Sequence, residues 1–201
     1  HESWLRPLLP AGAAPPERLM ELAVAIAEAN PARGGGPFGA VVADAGGVLL
    51  ALGWNDVVPG CDSTAHAEVT AIRRAQRALG SHDLASAGEL RLFASCEPCI
   101  QCFGAIWWSG LREVRAAASR RDAEALGFCE GPVCDALWEE AARFKGVRWR
   151  PGSPWRWNFS LHYAADQSRR VVAGSPESLE THLVDLGVGA LGHEVEHVPR
   201  G

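Results

Sequence analysis

The chain has 201 residues, 47% hydrophobic and 21% charged, which is the profile of an ordinary globular protein able to bury a sizeable core. Its formal net charge of -5 argues against affinity drawn from neutralising many phosphates. No stretch approaches the ~20 consecutive apolar residues of a membrane span, so neither nucleic acid nor a membrane is expected as a partner.

No basic start followed by an apolar run suggests export, and a cytoplasmic protein is the expectation. His1, standing where Met would be expected, points to a missing native start or a tag remnant. Residues 1–16 are rich in Pro and Ala and read as an irregular arm. From Glu17 to Asn30, Leu19, Leu22, Ala23, Ile26 and Ala27 recur at helical spacing, with Asn30-Pro31 as the stop. The Gly-rich segment Ala32 to Pro37 is a loop. Phe38 to Ala43 and Val48 to Gly53 are apolar runs around Asp44-Ala45-Gly46-Gly47, which predicts a hairpin.

After the polar loop Asn55 to Asp62, the pattern predicts a helix over Thr64 to Leu79 and a strand over Leu90 to Ala94. A helix over Cys99 to Trp108 and a strand over Val114 to Ala118 come next. A helix over Asp135 to Phe144 and a short strand over Val147 to Arg150 follow. Strands alternating with helices imply an α/β layer structure with partly parallel pairing. Residues 17–150 form the expected core domain. Beyond Pro151 the periodicity fades, leaving 151–201 as a C-terminal extension with one helix expected near Ser175-Pro176-Glu177. His193 and His197 in that extension would share a helix face, but a solvated terminus explains them as well.

The six cysteines crowd the middle of the chain, unlike a small secreted disulfide scaffold. Two of them form the pair Cys99-Ile100-Gln101-Cys102, preceded by Glu97-Pro98. Thirty residues earlier stands His66-Ala67-Glu68. A catalytic zinc takes three nitrogen or sulfur ligands and keeps one place for water. His66 at one helix start supplies a nitrogen. Cys99 and Cys102 at another supply two thiolates, favoured there by the positive helix end. Glu68, two residues past the ligand, is too near to share its direction but can reach the water and relay protons. Neither half of the pattern is specific alone; His-x-Glu followed by Pro-Cys-x-x-Cys together is the signature of zinc-dependent nucleobase deaminases. A structural zinc or buried thiols is the plainer alternative, and Glu68 would then be a helix-end acid.

The segments Pro37 to Val42, Gly53-Trp54-Asn55, Thr64 to Arg73 and Ser95 to Trp108 resemble the bacterial guanine deaminases of the cytidine deaminase-like fold. The likeness covers about residues 18 to 150. It implies a three-layer α/β/α fold with a mixed five-stranded sheet, one zinc per chain, a purine substrate and a homodimer. Glu124 to Pro132 is similar to a family segment carrying a second acidic residue that assists proton transfer, a role that falls on Glu130. By the same resemblance, Asn55 hydrogen-bonds the base and His66 lies against it. Phe38, Ala67 and Trp107 are further candidates for the base pocket, and the C-terminal extension is a candidate lid. The plainer alternatives are a turn residue for Asn55, core packing for Phe38 and Trp107, and an exposed loop acid for Glu130. Cys129 stands where the family often has Asp, and the extension after Phe159 matches nothing familiar. The implied reaction is guanine to xanthine plus ammonia. Rivals are guanosine, ammeline or cytosine as substrate, a tRNA adenosine deaminase, and a binding protein that retains the metal without turnover.

Overall fold

The computed structural model describes residues 3–151. Five strands form one mixed sheet in the order β2-β1-β3-β4-β5. These are β1 (Gly39–Asp44), β2 (Leu49–Trp54), β3 (Leu90–Cys96), β4 (Glu113–Ala118) and β5 (Arg148–Arg150). β1 pairs antiparallel with both β2 and β3, while β3–β4 and β4–β5 are parallel. The hairpin and the parallel half expected from the sequence are both present, and the fold is the α/β/α layer structure.

Side chains alternate along the strands and so feed two cores. Ala40, Val42, Leu92 and Val114 face α2 (Ala67–Leu79), α3 (Ile100–Ser109) and α5 (Asp135–Lys145), through Ile72, Ile106 and Trp138. Val41, Ala43 and Phe93 face α1 (Pro16–Ala29), through Leu19, Leu22 and Ile26. Two glycines set how closely the helices approach. A Cβ on Gly39 would fall 2.2 Å from the Ala23 carbonyl of α1, and one on Gly53 would fall 2.0 Å from the Ala67 carbonyl of α2. Trp149 of β5 stacks on Trp138 with ring centroids 4.2 Å apart, tying the short edge strand to α5.

Several boundaries differ from the sequence expectation. The Pro/Ala-rich start is not irregular throughout: Ser3–Leu8 form a 3-10 helix that buries Leu5 and sets Trp4 edge-on to Trp54. α2 begins at Ala67 rather than Thr64, because the Asp62 carboxylate accepts from the Thr64 N–H and hydroxyl and folds that stretch into a turn. The helix α4 (Arg120–Glu124) was not expected; Ser119 and Asp122 build a capping box at its start. No helix among the described residues is long and apolar enough to cross a membrane. The helix expected near Ser175, the His193/His197 pair and the candidate lid lie outside the described residues.

Candidate active site

Both metal-binding segments lie at helix N-termini. His66 is the N-cap of α2 and Cys99 the N-cap of α3, each with extended backbone, and Cys102 follows in the first turn of α3. The Gln101 amide donates to the Thr64 carbonyl (3.3 Å), which ties the start of α3 to the turn that delivers His66. Val69, Cys99 and Cys102 pack as a small apolar cluster between the two helices.

The imidazole Nδ1 of His66 lies 3.4 Å from the Cys99 sulfur and 3.6 Å from the Cys102 sulfur. Zn–S and Zn–N bonds of about 2.3 and 2.0 Å at a tetrahedral angle put nitrogen and sulfur about 3.5 Å apart. The three donor atoms all fall within 4.8 Å of one another. Donor type, number and spacing therefore fit zinc. Three protein donors, not four, are assembled among the described residues, as a catalytic rather than a structural zinc requires.

The same donors already share protons. Its hydrogen bond with Cys102, and then that with His66, bring the Cys99 thiol down to about 4. Cys102 is pushed well above the usual thiol range by its bond to Cys99 and by burial. The bond to Cys99 also raises His66.

Glu68 sits in the first turn of α2 and is buried; desolvation, with the Cys99 charge adding to it, lifts its carboxyl to about 7. Glu130 is buried too, not an exposed loop acid. Burial and then the Cys99 charge lift it to about 7, so its carboxyl feels the same cluster. Its main chain is anchored there, since the Glu130 carbonyl accepts from the Ile100 N–H at the start of α3. Cys96 is a buried thiol raised well above its ordinary value by desolvation, and its sulfur faces the Ser119 carbonyl rather than joining the donor set.

The half-buried Asn55 side chain accepts, through Oδ1, from the Gly36 N–H (3.2 Å) and the Val57 N–H (3.4 Å). Its Nδ2 group has no acceptor among the described residues. Phe38 packs edge-on to Phe128 at 4.9 Å, two residues before Glu130. Ala67 is fully buried as the first residue of α2, where a backbone N–H has no partner within the helix. Trp107 stands five residues along α3 from Cys102, about 7.5 Å at the helical rise, against Phe103 and beneath the Lys145 ammonium. The sequence does not single out Asn30, a buried amide that bonds the loop carrying Asn55; its only local signal is the Asn-Pro pair of a helix stop.

Residues 14–118 match the cytidine and deoxycytidylate deaminase zinc-binding region. The guanine deaminase of Bacillus subtilis (strain 168) is 48% identical over 94 residues, covering 47% of this chain and 58% of that protein. The chain thus spans less than two thirds of that relative. The solved guanine deaminase of Nitrosomonas europaea is 39% identical, with a TM-score of 0.69 over 75% of this chain and 85% of its own. Another solved structure, in complex with 2,6-diaminopurine, is 37% identical, with a TM-score of 0.74 over 83% and 89% of the two chains.

Proposed function

Because the chain belongs to the cytidine and deoxycytidylate deaminase family, we propose that it is a zinc-dependent hydrolytic deaminase of an amino-purine, converting guanine to xanthine and ammonia. The observation that carries this is the three-donor cluster of His66, Cys99 and Cys102 with the buried carboxyl of Glu68 beside it. Zinc, when bound there, supplies a Lewis acid that lowers the pKa of water toward neutrality.

The protein's own groups do the rest. Glu68, lifted to about 7, takes a proton as a base and gives it back as an acid near neutral pH. It thereby carries one proton from water to a purine ring nitrogen, where it stays in the product, and the second proton of that water to the amine that departs as ammonia. Glu130, held at a similar value, serves as a second proton carrier on the substrate. Asn55 presents its Nδ2 donors to an acceptor of the base, and the Ala67 N–H offers another. The half-buried Phe38 ring and His66 flank the base. Relatives that are guanine deaminases, and one that holds 2,6-diaminopurine, support a 2-aminopurine ring as the substrate. We extend the proposal to a homodimer that binds no nucleic acid.

Ammonia release by the zinc-loaded protein, measured against guanine, guanosine, ammeline, cytosine and tRNA, tests the assignment. Guanine should turn over fastest, and light scattering should give twice the chain mass. Release from none of these substrates would overturn the activity; faster release from guanosine would move the substrate to the nucleoside.

A further inference from the structure

Asn30 closes α1, yet its side chain does no capping; it is 1% exposed, and its Nδ2 reaches the loops that carry Gly36 and Asn55. Its Nδ2 donates to the Gly36 carbonyl (2.8 Å) and to the Asn55 carbonyl (2.7 Å). These are the two residues joined by the bond from the Gly36 N–H to the Asn55 side-chain oxygen. One buried amide therefore grips both backbones on either side of the contact that aims the Asn55 side chain.

The surroundings leave no slack. A Cβ on Gly35 would fall 2.2 Å from the Asn55 carbonyl oxygen and 2.3 Å from Asn30 Nδ2. The polarity is fixed as well. With Gly36 and Val57 both donating to Oδ1, turning the Asn55 amide over would set N–H against N–H. Asn55 is thus held as a donor, and what it recognises must offer an acceptor, a ring nitrogen or a carbonyl oxygen.

We propose that Asn30 is a positioning residue for base recognition, holding Asn55 so that its Nδ2 faces an acceptor atom of the purine. The proposal rests on the assignment of Asn55 to substrate binding above. It predicts coupling. In a double-mutant cycle, kcat and KM for guanine are measured for Asn30→Ala, Asn55→Ala and the double variant, alongside zinc content and melting temperature. Asn30→Ala should raise KM and cut kcat/KM on the order of 10- to 100-fold, as displacement of a positioning group does, with zinc retained. In the Asn55→Ala background the same change should alter kcat/KM by less than about twofold, since the residue through which it acts is gone. Asn30→Ser, which keeps one donor, should fall between Asn30→Ala and the native protein.

Where Asn30→Ala fails to fold, Gly35→Ala forces the same contact apart from the other side and should reproduce the loss. Costs that simply add in the double variant, or native kcat/KM in Asn30→Ala or Gly35→Ala, overturn the positioning role. Native kcat/KM in Asn55→Ala alone instead removes Asn55 from substrate binding, and this proposal with it.

Discussion

Gly53→Ala is the substitution through which packing should reach the chemistry. The added Cβ would lie 2.0 Å from the Ala67 carbonyl oxygen, 2.5 Å from the Ala71 nitrogen and 2.8 Å from the Ala71 Cβ. Ordinary carbon–oxygen contacts begin near about 3.3 Å, so α2 must retreat from β2 by roughly 1.3 Å. Overpacking of this kind costs about 1–3 kcal/mol, against about 0.4–1 kcal/mol regained from a stiffer unfolded chain. The clash outweighs the gain by about 0.6–2 kcal/mol, and a melting temperature lower by roughly 1–8 °C is expected at about 2–4 °C per kcal/mol. The consequence is larger at the metal. His66 caps α2 and Glu68 stands in its first turn, whereas Cys99 and Cys102 ride on α3. A metal site tolerates only about 0.2 Å in ligand distance, so moving one helix against the other should release zinc. Zinc retained after dialysis against a competing chelator, with a thermal melt on the same sample, measures both effects. Gly104→Ala in α3, where a Cβ meets nothing within 4 Å, is the control and should hold zinc and melt no lower. A Gly53→Ala protein with native zinc content and native melting temperature would refute the reasoning.

Cys102→Ser should drop zinc content well below one per chain and abolish activity, as atomic absorption and an ammonia assay would record. Glu130→Gln should keep its zinc and lower kcat for guanine by about 10²-fold or more, the usual contribution of a placed proton carrier; unchanged kcat would leave Glu130 structural. Glu113 is buried and its carboxylate faces Arg91, Arg115 and Arg148, so Glu113→Gln takes that counter-charge from Arg91 and Arg115 and leaves Arg148 with Glu89. A loss of about 1–3 kcal/mol is expected in a denaturant titration, limited by the exposure of the arginines to water.

The zinc site was legible because its geometry is local. His66, Cys99 and Cys102 lie on two helix starts whose caps and short spacings dictate side-chain direction, and Glu68 shares a turn with one of them. The apolar runs likewise marked the strands, and their consecutive residues Val41 and Val42, or Leu92 and Phe93, feed opposite faces of the sheet. What could not be read was whatever depends on contacts far apart in the chain. Nothing near Asn30 announces that it bonds a carbonyl 25 residues away, and Trp107 carries no local sign that it packs against Phe103 and beneath Lys145. The start of α2 was misplaced because Asp62 competes for the Thr64 N–H, an interaction that helix periodicity does not register. By contrast, the Ser119-x-x-Asp122 cap of α4 was present in the sequence and was simply outweighed by its short length.

Glu68→Gln separates metal binding from turnover and so bears on the whole account. The substitution keeps the size of a buried side chain, leaves His66, Cys99 and Cys102 untouched, and removes the carboxyl held at about 7. Zinc per chain and ammonia released from guanine should be measured on one preparation of this variant. One equivalent of zinc with release reduced by about 10²-fold or more is the predicted result. Full zinc with undiminished ammonia release would contradict a proton-carrying Glu68, and with it the chemistry assigned to the site.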